Sequence, residues 1–362
     1  MRLFQNSGVP PSYLSRHRQA LQNATFRDQI AHFLDNRYGA LHFLAPVLNG
    51  DDTAFFTNGD DEVLQRTWAR EMAMPGKASL VDILLAQIEF HRAEVFYNLD
   101  PIRYGNDCVR KLPGCVRKAI AWRNAPSPIA DLSEYDLIVC NAASMLRRYE
   151  GCGWKTSYFS PAHDPVMDEF ARNDDRPIDV LFVGGYSRHH MRRATVLEAV
   201  ARLRDKYRIE FCLARSRLTR AAESPIGYIA PVGKYRRPRN IRVVSHEPVY
   251  GRDLYARISK SKVVLNGAGD AEREDRGNMR CFESMGCRGL LLSDEGVYPA
   301  GMVGGQTLVT YKSPTDLVVK LRELLQAPEV MMGIAEAGYE MVTREYSKQA
   351  QWSAFKTLVA NI

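Results

Sequence analysis

Short apolar runs alternate with longer amphipathic stretches along the first half of the chain. The runs predict six strands, at residues 2–5, 53–57, 94–98, 118–122, 136–140 and 156–159. Helical patterns lie around residues 25–49, 62–74 and 79–92. This alternation is typical of βα units that build a parallel sheet. Polar residues follow most of the strands, and we expect them at the edge of the sheet where such folds bind ligands.

The alternation restarts after a polar, proline-punctuated stretch. This stretch covers residues 160–165 and 172–177 and predicts a domain boundary near residue 165. Six further strands are predicted, at residues 179–183, 209–213, 241–245, 262–266, 290–293 and 307–311, and two last helices at 328–343 and 347–359. We therefore expect an α/β protein whose two halves, 1–165 and 166–345, have similar size and a cleft between them.

Composition excludes several classes of protein. The 362 residues exceed what one core usually holds, and 45% hydrophobic with 25% charged residues are ordinary globular values. No apolar run approaches the ~20 residues of a membrane span. The first residues contain no apolar segment, so no secretory leader is expected. The seven cysteines include no Cys-x-x-Cys, which favours reduced thiols in a cytoplasmic protein over disulfides or a zinc site.

Positive charge is concentrated in one segment. Residues 188–242 contain 15 Lys/Arg and 4 Asp/Glu, whereas the whole chain has a formal net charge of +7. Such a segment favours an anionic partner, and a nucleotide diphosphate, an anionic membrane surface and a nucleic acid all fit. Alternatively, this segment binds no ligand and is a solvated surface that contains an excess of arginine.

A Gly-Gly turn ends the strand predicted at residues 179–183. Gly184 and Gly185 would let a phosphate approach the backbone, and the next helix would offer free N–H groups and its positive dipole end. Tyr186 and Arg188 follow directly. The turn is neither a G-x-G-x-x-G nor a Walker loop, so dinucleotide and ATP binding are disfavoured. A tight βα turn without a ligand is the alternative.

Residues 275–287 form a second candidate segment. They are predicted to contain a helix between two strands, with Asn278 as its N-cap. Arg280 and Glu283 lie three residues apart and share one helical face. A helix in this position directs its N-terminus into the cleft. A surface ion pair on an amphipathic helix is the alternative.

Three stretches of the second half, residues 264–266, 278–287 and 289–294, resemble the group-1 glycosyltransferases and, more narrowly, their spore-maturation CgeB-like branch. Residues 317–325, 334–338 and 342–346 are similar to the closing helices of that branch. Residues 4–8 and 67–71 resemble its N-terminal half more loosely. The resemblance implies the GT-B fold: two Rossmann-like domains facing across a cleft, with the nucleotide-sugar on the second domain and the acceptor on the first, residues 1–165. It also implies that the last helix, within residues 346–362, packs back on the first domain.

The resemblance also implies roles for two acidic residues eight positions apart. Glu283 would accept hydrogen bonds from the ribose of the donor, and Asp275 would face the donor sugar as a catalytic group. The Gly184-Gly185 turn matches the loop that approaches the donor diphosphate. The basic residues that bind the diphosphate do not align, and Arg188, Arg192, Arg215 and Arg280 are the candidates.

The expected reaction moves a sugar from a nucleotide-diphosphate-sugar to a hydroxyl of a glycan, a lipid-linked glycan or a protein. The leaving diphosphate needs positive charge, which a metal, arginines or a helix N-terminus can supply. The chain contains no Asp-x-Asp. We therefore expect a metal-independent enzyme without a cofactor.

Four further polar residues are candidates for the site. His163 at the predicted hinge could serve as a base toward an acceptor hydroxyl, or could only hold the turn. Asp100, after the third predicted strand, is an alternative base. His246 would border the nucleobase, and Asn266 would lie near the donor sugar.

Two other functions fit parts of this pattern. One is a nucleotide-sugar epimerase on the same fold. The other is a basic nucleic-acid-binding or scaffold protein, with residues 234–239 as its contact surface. A nucleic-acid-binding function would not explain the Gly-Gly turn or the Asp275/Glu283 pair, so no specific nucleic-acid partner is expected. Peripheral docking at an anionic inner membrane face is compatible with the transferase.

Overall fold

The computed structural model describes residues 1–17, 23–126, 130–187, 190–228, 232–267 and 274–362. Contacts divide the chain into two compact units. The N-terminal unit consists of residues 1–162 and 346–362, and the C-terminal unit of residues 163–345.

The N-terminal unit contains a parallel six-stranded sheet in the order β2-β1-β3-β4-β5-β6. Its strands are β1 Leu3–Ser7, β2 Ala54–Asn58, β3 Val95–Asn98, β4 Lys118–Trp122, β5 Leu137–Cys140 and β6 Thr156–Tyr158. Its helices are α1 Pro11–His17, α2 Phe26–Asn36, α3 Ala45–Asn49, α4 Glu62–Glu71, α5 Leu80–Phe90, α6 Asn106–Val109 and α7 Ala143–Glu150. The strand order reverses between β1 and β3, and doubly wound sheets bind ligands outside the carboxyl ends at such a point.

The C-terminal unit contains a second parallel six-stranded sheet in the order β12-β11-β10-β7-β8-β9. Its strands are β7 Ile178–Gly185, β8 Ile209–Ala214, β9 Ser245–His246, β10 Ser261–Leu265, β11 Leu290–Asp294 and β12 Val309–Tyr311. Its helices are α8 Met167–Ala171, α9 Met191–Ala201, α10 Arg217–Glu223, α11 Arg239–Val243, α12 Gly251–Ser259, α13 Met279–Gly286, α14 Pro314–Gln326 and α15 Pro328–Glu345. Here the strand order reverses between β7 and β10.

The two halves of the chain have separate cores, as expected for two α/β units. In the C-terminal unit, buried residues of the central strands pack against α9 and α14, with Val180, Leu197, Phe211 and Leu321 among them. All predicted apolar runs but one contain a strand of the structure, because strands buried on both faces are apolar along their whole length.

One predicted strand is wrong. Residues 241–245 were expected to form a strand, but α11 ends at Val243 and only Ser245–His246 pair with β8. The buried residues are Ile241 and Val244, three apart, while Val243 is 63% exposed. This spacing fits one face of a helix and not the two-residue period of a strand. Pro238 precedes the first turn of this helix.

The last helix, α16 Lys348–Ala360, belongs to the N-terminal unit. Ser347 caps it by accepting a hydrogen bond from the Ala350 N–H. Phe355 is fully buried against Tyr97 and Phe159 of the N-terminal unit. Among the described residues, no helix combines the length and the apolarity that a membrane span requires.

Candidate functional site

The two glycines predicted to approach a phosphate end strand β7. Both are exposed, and a Cβ at Gly185 would have no heavy atom within 4 Å. A Cβ at Gly184 would meet only the ring of Phe182, at 3.1 Å. Neither residue has the left-handed backbone conformation that requires glycine. The glycines therefore leave an open stretch of backbone beside the point where the strand order reverses.

A pocket of 620 Å³ lies at the carboxyl edge of this sheet. Its lining includes Arg192, Arg193 and Thr195 of α9, Gly267 after β10, Asp294 of β11 and Tyr311 of β12. Arg193 donates a hydrogen bond from Nη2 to the carbonyl of Gly267 at 3.0 Å, and its buried Nε has no partner among the described residues. The side chain of His190 does not cap α9. One wall of the pocket is thus a helix N-terminus that carries two arginines.

The two acidic residues of the pocket, Asp294 and Glu295, form ion pairs with cations other than Arg192 and Arg193. The Arg276 guanidinium lies 2.8 Å from the Asp294 carboxylate, and the Lys312 ammonium lies 3.7 Å from Glu295. Within the described ranges, Arg192 and Arg193 have no acidic partner. The pocket consequently presents net positive charge, which suits a phosphate.

A chain of polar side chains joins the ends of β10 and β11 to the start of α13. Asn278 donates from Nδ2 to Asn266 Oδ1 at 3.3 Å, and Asn266 donates from Nδ2 to Ser293 Oγ at 3.2 Å. The Tyr311 hydroxyl donates to the carbonyl of Asn266 at 3.0 Å. Asn278 occupies the N-cap position, as predicted, but its side chain does not cap the helix. The network instead holds Asn266 and Asn278 in place at the edge of the pocket.

Arg280 and Glu283 form an ion pair that is buried. Arg280 Nη1 lies 2.6 Å from Glu283 Oε2, and Glu283 is 5% exposed. Burial raises the pKa of the Glu283 carboxyl, while the Arg280 guanidinium opposes this shift. The pair therefore differs from the exposed surface pair that was one alternative, and neither residue lines the 620 Å³ pocket.

The other predicted donor residues lie apart from the pocket lining. Asp275 is half-buried, and its backbone pairs with Val297. The Tyr186 hydroxyl donates to Glu198 Oε1 at 2.7 Å, so it ties the Gly-Gly turn to α9. Arg188 lies outside the described residues.

Arg215 and His246 are at the far strands of the same sheet. Arg215 follows β8 and pairs with Glu247, while His246 ends β9 and is exposed. A role at the nucleobase therefore stays a prediction for His246, and the paired Arg215 is a weaker phosphate candidate than Arg192 or Arg193.

The prediction that His163 acts as a base is not supported by its position. His163 is 4% exposed, and its Nε2 lies 2.9 Å from Asp168 Oδ1, which also accepts a hydrogen bond from the Tyr339 hydroxyl. A Cβ at Gly286 would lie 2.8 Å from His163 Nδ1, so α13 packs directly on the ring. Burial and the Asp168 contact favour the alternative, in which His163 holds the local structure.

Asp100 lies at the reversal point of the N-terminal sheet, together with a residue that the sequence did not single out. A Cβ at Gly8, just after β1, would lie 3.2 Å from an oxygen of Asp100 and 3.3 Å from one of Asp60. Burial raises the pKa of Asp60 to about 6, and Asp100 adds to this shift. The Val9 N–H donates to both oxygens of Asp60 at 3.0 Å. Asp60 follows β2 and Asp100 follows β3, so only the fold brings the two carboxyl groups to the same glycine.

Among the described residues, no group of three or more His, Cys, Asp or Glu side chains has the arrangement of a metal site.

Three comparisons relate this site to known proteins. Residues 190–357 match the sequence model of a family described as glycosyl transferase-like. No curated protein matches the chain. The fold resembles Anabaena HepE in complex with UDP and glucose, with a TM-score of 0.61, 10% identity and coverage of 100% of both chains. The same protein in complex with UDP-glucose gives a TM-score of 0.59 with 11% identity over 99% of both chains.

A sucrose-phosphate synthase from Thermosynechococcus elongatus has a TM-score of 0.51 and 13% identity, and the match covers 85% of this chain and 80% of that one. The structural likeness confirms the GT-B fold that the sequence predicted, and residues 190–357 are similar to the glycosyl transferase-like family.

Proposed function

We propose that this enzyme transfers a sugar from a nucleotide-diphosphate-sugar to an acceptor hydroxyl, and that the diphosphate binds in the 620 Å³ pocket of the C-terminal unit. The observation that carries the proposal is the pair Arg192 and Arg193 at the uncapped N-terminus of α9, without an acidic partner in the described part of the chain. UDP-glucose is the first donor to test, because the similarly folded HepE binds it.

The chemistry explains why this charge is useful. During transfer, the bond between the anomeric carbon and the diphosphate oxygen breaks, and negative charge grows on that oxygen. The acceptor hydroxyl oxygen bonds to the anomeric carbon, and its proton passes to a general base, for which Asp100 is the predicted candidate. Positioned cations and helix N–H groups stabilise the departing diphosphate without having to reorganise. Arg192, Arg193 and the first turn of α9 would supply this stabilisation, so no metal is required.

Three of the remaining donor contacts are proposed from the resemblance: Glu283 would bind the ribose hydroxyls, Asp275 would face the sugar, and Gly184 and Gly185 would approach the diphosphate. Asn266 is proposed near the donor sugar, and Asn278 at the start of α13 as a further donor contact. The motif at residues 278–287 also supports a place in the spore-maturation CgeB-like branch. Because Glu283 is buried, its proposed contact with the ribose is the part of this proposal that most needs an experimental test.

Replacing Arg193 by glutamine should weaken UDP binding by about tenfold, because a charge-assisted hydrogen bond to phosphate is lost. Isothermal titration of UDP measures this effect. Arg202→Gln, at the C-terminal end of the same helix, is the matched control and should bind UDP like the wild type. Adding EDTA should change neither affinity nor turnover. Equal UDP affinity in the Arg193 variant, or turnover that EDTA abolishes and Mn²⁺ restores, would refute this assignment.

A basic surface of the C-terminal unit supports a second proposal, peripheral binding to an anionic membrane. It consists of the exposed residues Arg217, Arg220, Lys234 and Arg239, with the exposed apolar side chains of Leu218 and Val243. Basic residues near an anionic surface contribute about 1 kcal/mol each.

Vesicles test this proposal. The protein should sediment with vesicles that contain phosphatidylglycerol, and the double variant Arg217→Glu, Arg220→Glu should bind them at least tenfold more weakly at low salt. Neutral phosphatidylcholine vesicles are the control. Equal binding of both vesicle types, or wild-type binding by the double variant, would exclude an electrostatic docking surface.

A further inference from the structure

One cation in the wall of the 620 Å³ pocket, Arg276, differs from the others in its burial. Among the described lining residues there are four cations and two carboxylates. Arg276 is 5% exposed. The other three cations, Arg192, Arg193 and Lys312, are exposed or half-buried. A cation as buried as Arg276 acts on a bound anion chiefly through the groups that it contacts itself.

Backbone contacts fix Arg276 beside the end of β11. Its N–H donates to the carbonyl of Val297 at 2.7 Å, and the Val297 N–H donates to the carbonyl of Glu274 at 2.7 Å. The Arg276 Nη1 donates to the carbonyl of Asp275 at 3.0 Å. A Cβ at Gly296 would lie 2.6 Å from Arg276 Cγ and 2.5 Å from the Glu274 carbonyl oxygen, so this packing requires glycine. The guanidinium therefore has little freedom to reorient.

The fixed guanidinium is paired with Asp294, the last residue of β11. Its Nη2 lies 2.8 Å from Asp294 Oδ2, and the Asp294 side chain is 24% exposed. The Tyr298 hydroxyl donates to the carbonyl of Asp294 at 2.6 Å and so holds its backbone. The other carboxylate of the lining, Glu295, is 51% exposed and lies 3.7 Å from Lys312, so water screens its charge. Asp294 is thus the carboxylate that would oppose a bound diphosphate more strongly.

We infer that Arg276 is a positioning residue of the donor site: it neutralises Asp294, so that Arg192 and Arg193 hold the diphosphate without a competing negative charge. Arg276 does not contact the donor, and its effect reaches the diphosphate through Asp294. A carboxylate repels a phosphate more strongly where water is excluded, and a fixed cation at 2.8 Å removes most of this repulsion. The inference rests on the proposed function, in which the diphosphate binds in this pocket.

Removing the charge of each partner in turn tests this role. Arg276→Gln leaves the Asp294 carboxylate without its cation, so UDP affinity should fall at least tenfold. Asp294→Asn removes the negative charge, and UDP affinity should rise about threefold. The double variant has neither charge and should bind UDP within about threefold of the wild type. Isothermal titration of UDP measures all three variants, and pyrophosphate in place of UDP should give the same order of affinities.

Other roles of Arg276 predict other patterns of affinity. If Arg276 bound the diphosphate directly, the double variant would bind UDP as weakly as Arg276→Gln does. If the ion pair only stabilised the fold, both single variants would weaken UDP binding, or neither would. Rescue of Arg276→Gln by Asp294→Asn is therefore the result that neutralisation predicts. A double variant without rescue, or weaker UDP binding by Asp294→Asn, would overturn the inference.

Lys262 and Asp179 are the matched control pair. Lys262 Nζ lies 2.6 Å from Asp179 Oδ1, and both residues lie near the amino ends of β10 and β7, at the edge of the sheet opposite the pocket. Lys262→Gln and Asp179→Asn should leave UDP affinity unchanged. Melting temperatures are measured for every variant, and titrations are run below them. If Arg276→Gln does not fold, Asp294→Asn and the double variant decide, because each alternative role predicts weaker or unchanged binding for one of them.

The outcomes distinguish this inference from the proposed function. If the wild type binds neither UDP nor pyrophosphate, the diphosphate pocket and the role of Arg276 fail together. If the wild type binds UDP and Arg193→Gln weakens binding, but the double variant at Arg276 and Asp294 shows no rescue, only the inference fails. If rescue occurs but the enzyme turns over no UDP-sugar, the role of Arg276 in binding the diphosphate stands and the proposed transfer fails.

Discussion

Replacing Lys348 by methionine is expected to lower the free energy of unfolding of the N-terminal unit by about 3 kcal/mol. Lys348 is 7% exposed, and its Nζ donates to the carbonyls of Ala40, Leu41 and Phe43 at 2.7, 3.0 and 2.7 Å. A fourth acceptor, Gln351 Oε1, lies at 3.1 Å. Methionine keeps most of the side-chain volume but leaves buried carbonyls without their donor.

The ammonium of Lys348 also affects a neighbouring histidine. Burial, and secondarily the Lys348 charge, lower the pKa of His42 to about 3. His42 is therefore neutral near pH 7, and the charged group at this contact is the Lys348 ammonium. The interaction joins α16 to a segment more than 300 positions earlier in the chain.

Urea unfolding followed by tryptophan fluorescence measures the effect of Lys348→Met. Lys356→Met on the same helix is the matched control: Lys356 is exposed, and its replacement should change stability by less than about 0.5 kcal/mol. Equal midpoints for the Lys348 variant and the wild type would mean that desolvation of the ammonium cancels the hydrogen bonds that its three N–H groups make.

Replacing Glu283 by glutamine is expected to weaken UDP binding ten- to a hundredfold. The substitution removes the charge that would accept two ribose hydrogen bonds, each stronger for an ionised acceptor, at about 1.5–3 kcal/mol in total. Because Glu283 is 5% exposed and pairs with Arg280 at 2.6 Å, the substitution should also destabilise the C-terminal unit, by about 1–2 kcal/mol. Stability alone therefore does not identify a ribose contact.

A matched control separates the two effects. Glu210 is 3% exposed and pairs with Arg257 at 2.8 Å, near the start of β8. Glu210→Gln should destabilise the same unit to a similar extent and leave UDP affinity unchanged. Calorimetric titration of UDP into both variants, below their melting temperatures, measures this difference. If both variants bind UDP like the wild type, Glu283 is a structural residue and the ribose assignment is wrong.

Several features of the site could be predicted from neighbouring residues in the sequence. The run 181–185, apolar and then Gly-Gly, predicted the end of a strand with an open backbone, and Gly184 and Gly185 have these properties. The three-residue spacing of Arg280 and Glu283 predicted their contact. Both predictions depend on geometry within one element, where distances follow from the helix or strand period.

Other features depend on the burial that the fold imposes. The sequence pattern at residues 241–245 resembles a strand, but burial of Ile241 and Val244 on one side selected a helix. His163 was a candidate base because it is polar and lies near a predicted hinge, yet α13 covers it. In both cases the outcome depended on which neighbours pack against the segment, and these are distant in sequence.

The sequence by itself determined the two α/β halves, the parallel strands and the basic segment, because these follow from local apolar periodicity and composition. Only the tertiary structure decided that Arg192 and Arg193 line a pocket with Gly267 and Tyr311, and that Asp60 lies beside Asp100. It also decided that Asn58 Oδ1 is buried with no hydrogen-bond partner in the described part of the chain, and that Lys348 donates to a segment at residues 40–43. The physical reason is that parallel strands bring their carboxyl ends to one edge only after the sheet has formed, so contacts there join residues tens to hundreds of positions apart.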